Sequence, residues 1–192
     1  MPIPHLDLAL SVALGIALAA TTGFRLFLPL LIASVAAYTG HLPLDENFAW
    51  LGTPPALTTL AVAALIEIVA YYVPGIDNLL DTLSVPAAFI AGTVLSAAVI
   101  TDLPPVVKWT AAVVAGGGAA GLTKGVTAMV RAKSTLFTGG VGNHVLATAE
   151  LGGAILVPLL AIALPFAALV LLILLLWAAF RLLRGRRRRE TG

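Results

Sequence analysis

Two apolar runs in this chain are longer than an ordinary membrane helix needs to be. They cover roughly residues 8–38 and 145–180. As straight helices they would be roughly 45 and 54 Å long, against a hydrocarbon core of about 30 Å. Each contains helix breakers, Thr21-Thr22-Gly23 and Pro29 in the first, Pro158 and Pro165 in the second. The pattern therefore predicts broken or re-entrant helices. Irregular backbone at membrane depth is tolerated only where protein covers it or where it lines a wet cavity.

Between these runs lie three shorter apolar segments, at about residues 56–73, 85–101 and 106–130. Pro74-Gly75 and Asp102-Leu103-Pro104-Pro105 punctuate them, and a Gly-rich loop is expected over residues 131–143. The count predicts roughly five to seven spans, depending on how often the long runs cross. Composition agrees: 60% of residues are hydrophobic and 10% charged, whereas soluble domains carry about a quarter charged residues. The expected fold class is an all-α, polytopic transmembrane helical bundle, with residues 1–183 as one transmembrane domain.

Charge is unevenly placed. Six of the eleven Lys and Arg residues lie in residues 181–189. A basic tail after an apolar run reads as a cytoplasmic anchor, here residues 184–192. It is short and lacks interleaved aromatics, which argues against nucleic acid as a partner. The first basic residue is Arg25, so the N-terminal run reads as a retained membrane segment rather than a signal peptide.

The chain has no cysteine, which excludes disulfides, thiolate metal sites and Cys nucleophiles. His5, His41 and His144 are not at metal-ligand spacing. Residues 138–143 form a Gly-rich stretch without the Lys-Ser/Thr ending of a nucleotide loop. No nucleophile, base and orienting group can be named together. Neither a cofactor, a metal nor an enzymatic activity is expected.

Four charges fall in or beside apolar segments: Arg25, Glu67, Lys124 and Glu150. A charge facing lipid at the centre of a helix costs about 2.5–3.5 kcal/mol on insertion scales, so such residues pair, snorkel or mark a pathway. Arg25 follows a helix break and could simply snorkel to an interface. Glu67 has no polar neighbour in sequence, which leaves a structural pair or a proton- or cation-coupled site. Lys124 and Glu150 adjoin glycines and could lie near membrane faces. Thr22, Gly23, Asp77 and Asn143 are secondary candidates. Asp77 and Asp81, spaced i, i+4 after Pro74-Gly75, read mainly as solvated carboxylates. Gly116, Gly117, Gly118 and Gly121 read as close helix packing or as an unwound site. The halves echo each other faintly, Gly23, Arg25 and Glu67 in one, Gly121, Lys124 and Glu150 in the other. An inverted repeat would account for that echo.

At three places the sequence resembles a bacterial membrane family known as domain of unknown function 4126. These are Ala20-Thr21-Thr22-Gly23-Phe24-Arg25 with Phe27-Leu28-Pro29; Glu67 with Pro74-Gly75-Ile76-Asp77 and Asp81; and Arg131 through Gly140, Gly142 and Asn143 to Glu150. The resemblance implies that Arg25, Glu67, Asp77, Asn143 and Glu150 belong to the family pattern, and it implies a bacterial inner membrane. The chain departs from that pattern at Tyr71-Tyr72, His144 and Leu151, where relatives carry a charged pair, a proline and a second acid. The residues favour a small transporter or channel that uses Arg25, Glu67, Lys124 and Glu150 for a small solute or ion. The alternative is a lipid-binding or membrane-assembly protein without transport activity. Membrane lipids are expected partners, and the Gly-rich helices allow a homo-oligomer.

Overall fold

The computed structural model describes residues 4–73, 76–101 and 103–185. Among the described residues, eight α-helices follow one another: α1 Pro4–Thr21, α2 Phe27–Tyr38, α3 Pro54–Ala70, α4 Ile76–Val99, α5 Pro105–Ala111, α6 Gly118–Thr138, α7 Asn143–Ala163 and α8 Pro165–Gly185. A 3-10 helix, Glu46–Gly52, precedes α3. A π-helical segment, Ala112–Gly117, joins α5 to α6, making a continuous helix of 34 residues.

Both long apolar runs are broken, as their length requires. The first breaks at residues 22–26 and the second at Leu164-Pro165. Pro29 and Pro158 do not break their helices. Pro29 is the third residue of α2, where its missing N–H has no helical partner to lose. Pro158 lies inside α7, and neighbouring groups in a bundle can satisfy the carbonyl it frees. Among the described residues, two helices, Pro105–Thr138 and Asn143–Ala163, are long and apolar enough to cross a membrane. A third span results if the 3-10 helix and α3, bent by 64°, count as one. The expected five to seven spans exceed this because the breaks leave shorter apolar pieces, Leu8–Thr21, Phe27–Tyr38, Leu83–Val99 and Pro165–Arg181.

Two boundaries differ from the sequence reading. Asp77 and Asp81 belong to α4, which begins at Ile76, not to a loop. Their side chains lie outside the described residues, as do Pro74-Gly75, Asp102 and the tail from residue 186. The loop expected over residues 131–143 shrinks to residues 139–142, because α6 runs on to Thr138. The helix stops where Gly139 and Gly140 take φ values of 62° and 93°, left-handed conformations that glycine adopts without strain.

The bundle carries much of its polarity inside. Thr21, Thr22, Arg25, Glu67, Lys124, Arg131, Asn143 and Glu150 are all buried, while Leu65, Ile66, Val69, Val170, Ile173, Leu174 and Trp177 are exposed. In water this would be a large apolar patch; in lipid it is a matched surface. Helix α1 sits centrally, packed by α4, α6, α7 and α8.

Small residues close the α4 interface. A Cβ on Gly92 would come within 2.4 Å of the Ala120 Cβ, and one on Gly116 within 2.4 Å of the Ser96 Cβ. The glycines of the π segment thus serve close packing. Gly118, by contrast, has open space around it. Gly92→Leu should lower the thermal midpoint of the detergent-solubilised protein, since overpacking costs about 1–3 kcal/mol. Gly118→Ala should leave it unchanged or higher. Equal behaviour of the two variants would contradict this packing.

Candidate functional site

The site begins where α1 ends. The N–H groups of Thr22, Gly23 and Phe24 bond back to the carbonyls of Ala19, Ala20 and Thr21, tightening the last turn. The Thr22 hydroxyl donates to Ala19 O at 2.7 Å and faces Ala88 O of α4 at 3.2 Å. Gly23 lies against the backbone of α6, where a Cβ would meet Ala120 O at 2.5 Å and Lys124 N at 2.7 Å. These two residues fix the break and bring it beside Lys124. Arg25 follows, 1% exposed.

Helix α2 starts immediately after it, and Glu67 caps it from α3. Glu67 Oε1 accepts the Leu26 N–H at 2.6 Å, and Oε2 accepts the Phe27 N–H at 3.0 Å. A helix N-terminus presents unpaired N–H groups and a positive dipole end, so a carboxylate is stabilised there. Pro29 removes a further donor that would otherwise need a partner. The acid without polar neighbours in sequence is therefore matched in space.

Tyr71 stands four residues after Glu67, on the same face at the end of α3. Its ring is the hub of the cluster. The Arg25 guanidinium carbon lies 3.7 Å from the ring centroid, Lys124 Nζ 5.0 Å and the Arg131 guanidinium carbon 5.1 Å. Cation–π contacts of this kind are worth about 2 kcal/mol when desolvated. Lys124 also donates to the Tyr71 hydroxyl at 2.6 Å.

Glu150 of α7 closes the cluster. Its Oε2 accepts a hydrogen bond from Arg131 Nη2 and lies 3.9 Å from Arg25 Nη1. One turn earlier on α7, Ala147 O accepts from Arg25 Nη2 at 2.9 Å. Asn143, at the start of α7, offers its carbonyl to Arg131 at 3.4 Å and donates through Nδ2 to Thr135 at 2.9 Å. Arg25 Nε and Nη1 have no hydrogen-bond partner although they are buried.

Arg25 and Lys124 thus meet on the Tyr71 ring, with Glu150 beside Arg25 and Glu67 on the N–H groups that follow it. Thr22 and Gly23 shape the break, Asn143 lies at the edge, and the Asp77 side chain is outside the described residues. Lys124 and Glu150 are both buried. Sequence reasoning missed Arg131 and Tyr71. A usable signal existed for Arg131: Lys124 and Arg131 are seven residues apart, and so are Asn143 and Glu150, two helical turns on one face. The early end assigned to this helix hid it. A cleft of about 510 Å³ lies between α6, α7 and α8, lined by Thr127, Val130, Leu156, Leu171 and Leu175, with Glu150 its one charged lining residue. Among the described residues, no group of three His, Asp or Glu side chains could hold a metal ion.

A separate ion pair, also missed, ties α5 to the start of the 3-10 helix. Lys108 Nζ donates to Asp45 Oδ2 at 2.6 Å. Asp45 caps the 3-10 helix by accepting the Asn47 N–H at 3.1 Å, and its own N–H bonds to Ala98 O at 2.8 Å.

All-helical, apolar outside and charged within, the fold is that of a helical membrane protein with a buried polar centre. The family model for domain of unknown function 4126 (DUF4126) matches residues 12–185. The chain belongs to the DUF4126 family. Neither the curated proteins nor the solved structures contain a significant match to it.

The hydrogen bond from Lys108 holds the Asp45 carboxyl below the usual carboxylate range, with Asn47 adding to the effect. A depressed folded value means stabilisation that is complete above the unfolded aspartate value, about 3.9, and lost as pH falls through the folded one. Thermal melts from pH 2 to 7 should therefore show wild type losing its advantage over Asp45→Asn at the acid end. A constant difference across that range would contradict the pairing.

Proposed function

We propose that the protein is a small transporter or channel, moving a small solute or ion along a path that uses the Arg25–Glu67–Lys124–Glu150 cluster. One observation carries this reading: four charges from separate segments converge, buried, at a place where the backbone is broken. Burying ions costs several kcal/mol each even after relaxation. A bundle that needed only stability would do as well with apolar residues of similar volume. Intramembrane charges grouped at broken helices are the usual form of an ion or substrate pathway. Arg25 lies 3.9 Å from Glu150 and directly precedes the N–H groups that Glu67 holds. A proton or a ligand charge arriving at either carboxylate changes which of them Arg25 serves, and that gives the cluster two arrangements. In this reading the protein sits in a bacterial inner membrane, crosses it several times and keeps its basic C-terminus in the cytoplasm. Assembly as a homo-oligomer belongs to the same proposal.

A lipid-handling role is the second reading, and the cleft between α6, α7 and α8 favours it. Its apolar walls would take an acyl chain, with a polar end reaching Glu150. Lys124 and Arg131 are turned inward, so headgroup phosphates at a membrane face would have to use other cations.

The test is flux in proteoliposomes made with the full chain, probed with sodium, potassium, chloride, nitrate and formate and with a pH-sensitive dye. At least one probe should move faster than in protein-free vesicles, and Glu67→Gln or Arg25→Gln should slow it by about tenfold or more, the scale on which a lost intramembrane charge acts. If no probe moves, or if the substitutions leave flux unchanged, the transport reading fails.

A further inference from the structure

The N-terminus of α2 already holds an anion, and that anion is part of the protein. The Glu67 carboxylate reaches it from another helix and takes the Leu26 and Phe27 N–H groups on its two oxygens. Beside it, Arg25 is 1% exposed, with Nε and Nη1 lacking any hydrogen-bond partner. Buried guanidinium donors are expected to be satisfied, and leaving such a group unmade costs more than a typical hydrogen bond gains. The Arg25 guanidinium stacks on Tyr71, and Arg25 directly precedes Leu26, whose N–H is the first of the two donors at the occupied helix end.

We propose that a small monovalent oxyanion, planar and carboxylate-sized, binds at the α2 N-terminus and Arg25 by displacing the Glu67 carboxylate. The resident group shows what the site fits: one negative charge and two acceptor oxygens in a plane. Nitrate and formate have that form, and Arg25 can add donors that Glu67 does not use. This deepens the transport reading and rests on it, because it names the substrate class of the same cluster.

The exchange balances electrically if a proton accompanies the anion. The arriving anion takes the two N–H groups, and the proton goes to a Glu67 carboxyl oxygen as that side chain swings away. The total charge of the cluster is then unchanged, and no uncompensated ion is left in a low-dielectric interior. Among the described residues, the other charged and titratable groups around the exchange are Arg25 from the α1–α2 break, Tyr71 at the end of α3, Lys124 and Arg131 from α6, and Glu150 from α7. Asp77 and Asp81 are placed on α4 by the backbone. Four of these facing groups, Arg25, Lys124, Arg131 and Glu150, are already held in the charged contacts described above, which leaves Glu67 as the group whose partners the anion takes.

Binding can be measured with the detergent-solubilised full chain, using thermal midpoint against sodium nitrate or sodium formate at ionic strength fixed by a bulky sulfonate. Removing a built-in competitor raises apparent affinity by the inverse of the vacant fraction. Glu67→Ala should therefore bind nitrate about tenfold or more tightly than wild type, and adding Arg25→Gln should abolish the gain. If Glu67→Ala shows no nitrate-dependent stabilisation, or if the gain survives Arg25→Gln, the proposal is overturned. Wild-type protein supplies a measurement that needs no variant to fold. Calorimetry in buffers of different ionisation enthalpy should show about one proton taken up per nitrate bound, and binding without proton uptake overturns the exchange. The two readings separate cleanly. Cation flux without oxyanion binding defeats this inference and spares transport, whereas oxyanion binding without flux of any probe does the reverse.

Discussion

The structure depends on the burial of ionised side chains that cannot be left alone. Arg25 and Arg131 are essentially inaccessible, and Lys124, Glu67 and Glu150 nearly so. Each is tolerable only because the others are there. Glu150 serves both arginines, Tyr71 receives three cations on its ring or hydroxyl, and Glu67 answers the exposed end of α2. The set is assembled from the α1–α2 break, α3, α6 and α7, so satisfying it fixes how those elements meet. Breaking a buried pair by removing one partner costs about 3–5 kcal/mol, a large share of ordinary stability. The apolar exterior supplies no comparable specificity, since lipid is as good a partner for leucine as another helix is.

Close backbone approach makes the cluster compact. Gly23 lets the end of α1 touch α6 beside Lys124, and the glycines of α4 and the π segment let those elements interlock. A side chain at Gly23 would push Arg25 away from its partners. The small residues and the charges are thus one device: the former set the distances over which the latter act.

Much of this was legible in the sequence. Apolar runs of excess length, with breakers inside, announced broken membrane helices, and Arg25, Glu67, Lys124 and Glu150 stood out by their surroundings. The family resemblance, resting on the residues around Gly23, Glu67 and Asn143, agrees with the family match over residues 12–185. Other features were hidden for physical reasons. Arg131 was assigned to a loop because residues 131–138 are polar enough to resemble one, although their polar face turns inward and only Gly139 ends the helix. Tyr71 was noted for what it replaces, not for its ring, because cation–π geometry leaves no mark on local sequence. The Lys108–Asp45 pair joins residues 63 positions apart, a contact that no periodicity announces. The number of spans stayed open because apolar length does not tell where a broken segment turns.

The central claim is that charges distant in sequence are held together in a buried interior, and a double-mutant cycle between Arg25 and Glu150 tests it most directly. These residues are 125 positions apart in the chain, and their charged atoms lie 3.9 Å apart. Unfolding free energies of wild type, Arg25→Met, Glu150→Leu and the double variant, measured in one detergent, give the coupling. The account predicts that the double variant is less destabilised than the sum of the single ones, by about 1–3 kcal/mol. A coupling indistinguishable from zero would mean that the two side chains do not meet, and the buried cluster would not exist as described.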